Sequence, residues 1–128
     1  MPFEIHVTQR PPIDGIESSA VRMSGALDLS SAPQAAKALT ALVATKPKVV
    51  AIDLGTLVFV DSTGISLLLK TRRDIESNGG SVFITNMQPS IRKVFDIVKA
   101  LPGTAVFSNL KEMDEYLKGI QEKIRDEE

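Results

Sequence analysis

Residues 49–69 read VVAIDLGTLVFVDSTGISLLL, and a change of period inside this stretch decides the fold. Val49-Val50-Ala51-Ile52 is a short apolar run bounded by Pro47 before it and Gly55-Thr56 after it, the pattern of a central strand buried on both faces. A second patch, Leu57-Val58-Phe59-Val60, carries the chain to Asp61. Past Asp61 the apolar residues Ile65, Leu68, Leu69 and Ile75 recur at helical spacing, with Lys70, Arg73, Asp74 and Glu76 on the opposite face, so a helix begins here. Asp61-Ser62-Thr63-Gly64 is its entrance. Ser62 is read as the N-cap, because a serine hydroxyl accepts from N–H groups that lack a partner inside the helix.

Upstream, Ala35, Leu39, Leu42 and Val43 share one face of residues 32–45, with Ser31 and Gln34 in the spacing of a capping box and Pro47 as the stop. Before that helix, Phe3, Ile5 and Val7 alternate with Glu4, His6 and Thr8, a half-exposed strand with His6 outward. Pro11-Pro12 and Asp14-Gly15 are read as its turn, and Ala20–Ser24 as an antiparallel second strand that Gly25-Ala26-Leu27-Asp28-Leu29 leaves.

Downstream, Asn78-Gly79-Gly80 supplies a left-handed helix end after residues 63–77, and Ser81–Thr85 forms the next buried strand. Pro89 opens a helix whose buried face is Ile91, Val94, Phe95 and Val98, with Leu101-Pro102-Gly103 as its stop. Ala105-Val106-Phe107 reads as a short last strand. Asn109 and Glu112 then repeat the capping-box spacing, and Leu110, Met113, Leu117, Ile120 and Ile124 make a helical stripe. Past Gly119 the segment IQEKIRDEE is highly charged and is expected to fray. The sum is an α/β fold with a mixed, mainly parallel sheet of about five strands and about four helices. Asp28, at the end of strand two, and Asp61, just past strand three, both fall at carboxyl ends of strands, where ligand and partner sites gather.

Composition narrows the function. A length of 128 residues suits one domain, spanning 1–128. With 15 basic and 16 acidic residues the net charge is −1, which leaves no electrostatic footprint for nucleic acid or an anionic membrane. Cysteine is absent and His6 stands alone, so disulfides, thiol chemistry and cysteine-ligated zinc are excluded, and histidine-dependent metal or triad chemistry is hard to assemble. The start, MPFEIHVTQRPP, has no leader-like pattern, and no apolar run approaches the roughly 20 residues of a membrane span. A soluble, cytoplasmic protein is expected.

Three enzymatic readings fail on the residues. Asp61-Ser62-Thr63-Gly64 has one residue too many for the Asp-Ser/Thr-Gly of an aspartic protease and sits in an α/β pattern. Ser62 has neither a G-x-S-x-G elbow nor a histidine other than His6. No G-x-x-x-x-G-K-[ST] or G-x-G-x-x-G occurs, and Gly79-Gly80 is more simply a helix stop. No catalytic residue, cofactor or metal is therefore assigned. Two readings of Ser62 stay open. One is a structural cap. The other is a phosphoacceptor, since a helix N-terminus tolerates negative charge while Asp28 and Asp61 oppose the −1.5 to −2 charges, approximately, of a phosphate.

The sequence resembles the STAS domains, in particular the stand-alone bacterial anti-sigma factor antagonists, over about residues 4–118. The residues that carry the resemblance are Gly25-Ala26-Leu27-Asp28, Asp53-Leu54, Val58 through Ile65, Gly79-Gly80, and Pro89-Ser90-Ile91-Arg92-Lys93-Val94-Phe95-Asp96-Ile97. The resemblance implies a protein that is not an enzyme. It implies that Ser62 is phosphorylated by a partner that is both an anti-sigma factor and a serine kinase and that supplies the ATP. Asp28, Asp61, Ser62, Thr63 and Gly64 would form the partner-binding surface. Unphosphorylated, the chain would bind that partner and free a sigma factor; phosphorylation would release it, and a separate serine phosphatase would reset the switch. The implied state is a monomer or weak dimer. Two departures are the long connection from Gln9 to Ser19 and the charged helix end at 119–128. The alternative is a STAS scaffold subunit of a transporter or signalling complex in which Ser62-Thr63 is structural.

Overall fold

The computed structural model describes residues 2–100 and 110–127. In chain order the elements are β1 (Glu4–Ile13), β2 (Ile16–Leu27), α1 (Ala32–Ala44), β3 (Val49–Val60), α2 (Ser62–Ser77), β4 (Ser81–Thr85), α3 (Pro89–Ala100) and α4 (Leu110–Glu127). Among the described residues the strands form one sheet in the order β1-β2-β3-β4. β1 and β2 are antiparallel, while β2 with β3 and β3 with β4 are parallel. The sheet is mixed and mainly parallel, as expected, and a helix makes each parallel crossover. The expected strand Ala105–Phe107, the stop at Leu101-Pro102-Gly103 and the Asn109 cap lie outside the described residues.

Two boundaries read from prolines and glycines are corrected. Pro11-Pro12 does not end β1, which continues to Ile13 with a register shift between Arg10 and Ile13. An edge strand at a bulge can spare the N–H that proline lacks. The turn is Asp14-Gly15 alone, both at positive φ (53° and 78°), the backbone that a two-residue hairpin needs. β2 accordingly begins at Ile16 rather than Ala20, and it runs through Gly25 to Leu27 instead of leaving at Gly25.

Gly55-Thr56 does not end β3 either. Between the pairs Arg22↔Asp53 and Ser24↔Thr56, and again between Gly25↔Leu57 and Ala26↔Phe59, β3 advances one residue further than β2. These are β-bulges, which bend a strand without ending it. They also explain why buried positions change parity, from Val50, Ile52 and Leu54 to Leu57 and then Val60.

One buried cluster joins the layers. β2 contributes Val21, Met23 and Leu27, β3 the five residues just named, and α1 Ala35, Leu39 and Leu42; Ile65, Leu68 and Ile75 come from α2, Ile91, Val94 and Phe95 from α3, and Leu117 from α4. α2 ends in a Schellman motif, with Gly80 N–H donating to the Ile75 carbonyl (2.9 Å) and Gly79 N–H to that of Glu76 (3.0 Å). Only Gly79 of the pair has positive φ (85°). Gly80 is there for room, because a Cβ would collide with the Pro47 carbonyl oxygen.

The charged end of α4 is also corrected. The helix continues to Glu127, and Gln121, four residues after the buried Leu117, is itself fully buried. It falls on the apolar stripe with Ile120 and Ile124, which are half-buried. Helical spacing outweighs the charge count there.

Candidate functional site

Because β2 and β3 are parallel neighbours with Leu27 paired to Val60, their carboxyl ends lie side by side. Asp28 and Asp61, the next residue on each strand, are thereby brought together. Asp61 N–H donates to the Leu27 carbonyl (3.2 Å), and one carboxylate oxygen of Asp61 accepts from the Leu29 N–H (3.0 Å).

The other Asp61 oxygen accepts from the Gly64 N–H (2.9 Å), and the Asp61 carbonyl accepts the first helical bond, from Ile65 N–H (3.0 Å). With φ −106° and ψ −174°, Asp61 has the extended backbone of a cap. Asp61 is therefore the N-cap of α2, and the assignment of that role to Ser62 is corrected. Ser62 is the first helical residue and is buried, at 5% exposure.

Gly64 fits because of this closeness. A Cβ there would collide with the Leu27 carbonyl oxygen and stand 2.8 Å from Val60 Cγ2 and 2.9 Å from Leu27 Cγ. Glycine lets the first turn of α2 seat against the end of β2, so buried Gly64 supports the surface from beneath and presents none of it. Thr63 is half-buried beside it.

The Asp28 loop is held by its own bonds. One Asp28 carboxylate oxygen accepts from the Ser30 N–H (3.0 Å), the Ser30 hydroxyl (2.7 Å) and the Ser31 N–H (3.2 Å). Burial alone would push this carboxyl up, but the bonds from Ser30 and Ser31 outweigh it and hold the pKa below its ordinary value. Asp28 is thus an anion at neutral pH. The Ser31 capping box is corrected as well. The Ser31 hydroxyl accepts from Asp28 N–H (2.9 Å) and donates to the Ala26 carbonyl (2.7 Å), and it makes no cap bond into α1.

Sequence reasoning missed Leu29. It is 73% exposed, while its backbone is pinned to Asp61. Among charged and hydroxyl neighbours, its position in a loop gave no periodic signal. The site surface is therefore Asp28, Leu29 and Ser30, with Asp61 and Thr63 partly accessible behind them. Among the described residues, no group of three or more His, Cys, Asp or Glu is placed to hold a metal ion. None of the described helices is long and apolar enough to cross a membrane.

Comparison with known proteins agrees with this architecture. An anti-sigma F factor antagonist from Lysinibacillus sphaericus is 30% identical over 96 residues, which cover 74% of this chain and 77% of that protein. A crystal structure of an anti-sigma factor antagonist from Mycobacterium paratuberculosis superimposes with a TM-score of 0.60 at 25% identity, covering 92% of this chain and 95% of the other. SpoIIAA, a Bacillus cell fate determinant solved in its phosphorylated form, matches with a TM-score of 0.57 at 23% identity over 76% of this chain and 83% of its own. The STAS domain model matches residues 5–113. The chain belongs to the STAS domain family.

Proposed function

We propose that this chain is an anti-sigma factor antagonist whose binding to an anti-sigma factor with serine kinase activity is controlled by phosphorylation of Ser62. One observation carries the reading: the carboxyl ends of β2 and β3 place an anionic, exposed loop, Asp28–Ser30, beside the helix entrance that begins with Asp61 and Ser62. The names of the relatives from Lysinibacillus sphaericus and Mycobacterium paratuberculosis support it.

In the unphosphorylated chain, the partner meets a preformed surface. Asp28 offers a fixed negative charge, Leu29 an apolar contact, and Ser62 a neutral side chain tucked into the first turn of α2. A phosphate on Ser62 has no room at 5% exposure, so the modified side chain turns outward. The helix N-terminus favours the added charge. Asp28 and Asp61 oppose it, and a partner shaped to the neutral surface meets bulk and about −1.5 to −2 new charges. Binding is lost while the fold is kept, and a serine phosphatase restores the starting state.

The experiment is intact-mass spectrometry after incubation with ATP and an anti-sigma factor kinase from the same organism. The expected result is a gain of one phosphoryl group, abolished in Ser62→Ala and kept in Thr63→Ala. An unmodified wild type, or an undiminished gain in Ser62→Ala, overturns the assignment. The burial of Ser62 favours a second reading, a STAS scaffold subunit in which Ser62 is purely structural. That reading predicts no phosphorylation and co-purification with subunits of a transporter or signalling complex.

A further inference from the structure

β4 pairs with β3 only from Val49 to Asp53, so beyond Asp53 the side of β3 away from β2 has no strand beside it among the described residues. Long side chains serve it instead. Gln88 Nε2 donates to the Gly55 carbonyl (2.9 Å), and Arg125 Nη2 to the Val58 carbonyl (2.7 Å). The Gln121 carboxamide makes both bonds that a neighbouring strand would make to Val60: its oxygen accepts from Val60 N–H (2.9 Å) and its nitrogen donates to the Val60 carbonyl (2.7 Å). Its nitrogen also reaches the Leu117 carbonyl (3.2 Å), so the side chain is anchored in its own helix. Gln121 is fully buried, and a buried amide held by three hydrogen bonds has little freedom to drift.

Val60 is the residue before Asp61, the cap that orients the first turn of α2 and the Leu29 loop at once. We infer that Gln121 is a positioning residue for the switch: α4 fixes the end of β3, and through it the placement of Ser62. Arg125 assists two residues upstream, at Val58. Both lie beyond residues 5–113, the span of the family match. A displacement of one reacting atom by about 1 Å is enough to slow a transfer step on the order of a hundredfold. The kinase would recognise the Asp28–Ser30 surface, which Gln121 does not touch, so loosening the strut should slow transfer more than it weakens recognition. The kinetic part of this inference rests on the proposal that Ser62 is the phosphoacceptor; the coupling of Gln121 to residues 60–64 does not.

The test compares wild type with Gln121→Met, Arg125→Met and Leu42→Ala, the last being a buried change in α1, away from the strut, that lowers global stability. Amide hydrogen exchange is measured residue by residue well below melting. Phosphorylation kinetics are measured with the anti-sigma kinase at the same temperature. In Gln121→Met, exchange at Val60, Asp61 and Gly64 should rise at least tenfold while Val50 and Ile52 hold. The kcat for phosphorylation should fall at least fivefold with KM within twofold. Arg125→Met should show the same pattern at a smaller size, and Leu42→Ala should change neither the local exchange contrast nor kcat. If Gln121→Met does not fold, Arg125→Met decides by the same two readouts. Uniform exchange along β3 in the strut variants, or local exchange and kcat equal to wild type, overturns the inference. If wild type is not phosphorylated, the functional proposal fails and the exchange contrast alone decides this one.

Discussion

The two halves of β3 are built differently. From Val49 to Asp53 the strand lies between β2 and β4 in regular register, with Val50 and Ile52 fully buried. From Gly55 to Val60 it carries two bulges, pairs among the described residues with β2 alone, and has its other side served by Gln88, Arg125 and Gln121. The first half is held by a repeating ladder, so a single lost contact is shared among many. The second half depends on a few individual bonds, and it is the half that ends at the Asp61–Ser62 helix entrance. Substitutions there should have larger and more local effects than their size suggests.

The sharpest way to break the contrast is at Gly64, where the second half delivers the chain into α2. Gly64→Ala places a Cβ against the Leu27 carbonyl and 2.8 Å from Val60 Cγ2, and backbone cannot move aside as a side chain can. The expected loss is about 3 kcal/mol, at the upper end for overpacking, measured by urea unfolding. Gly119→Ala is the control, because nothing stands within 4 Å of its would-be Cβ and α4 should gain about 1 kcal/mol from the better helix former. Equal effects at the two glycines would refute the close-approach account.

Next in size is the strut itself. Gln121→Met keeps the volume but leaves the Val60 N–H and carbonyl buried without partners, a loss of about 2 kcal/mol. The readout is the denaturation midpoint, and a loss below about 0.5 kcal/mol would mean that water or a neighbour takes over the bonds.

Asp61→Ala should cost about 1 kcal/mol for the lost cap, seen as a lower melting temperature. Ser62→Ala, which the sequence alone made the capping change, should lose less than Asp61→Ala. The reverse order would return the cap to Ser62. This correction shows what could and could not be read from sequence. The helix start was legible to within one residue, because the period changes at Asp61. Which of Asp61 and Ser62 caps depends on the ψ of Asp61 (−174°), which is set by how β3 leaves the sheet, and two adjacent capping residues look alike in sequence. The pairing of Asp28 with Asp61 was legible because parallel crossovers put strand ends together. The bulges at Gly55 and Val58 were not, since a glycine inside an apolar run reads equally as a stop. Gln121 was hidden in a charged segment, and only the side of β3 that has no neighbouring strand among the described residues, a tertiary feature, explains why a polar residue belongs there.

The smallest expected effect concerns Asp28, and its sign follows from the lowered pKa. The native state binds the Asp28 proton less tightly than the unfolded chain does, so ionised Asp28 stabilises the fold. That contribution is fully present above the ordinary carboxylate value of 3.8 and is lost as pH falls through the lower folded-state value. Asp28→Asn keeps an oxygen that can accept from Ser30 and Ser31 but removes the charge. The stability difference between wild type and Asp28→Asn should therefore be flat from neutral pH down to about pH 5 and shrink below it, as the wild-type carboxyl takes up its proton. Urea midpoints at pH 7, 5 and 3 measure it. A difference that grows toward pH 3 would mean that burial, which raises the pKa, outweighs the Ser30 and Ser31 bonds, and Asp28 would then present less of a fixed charge to the partner than the proposed switch requires.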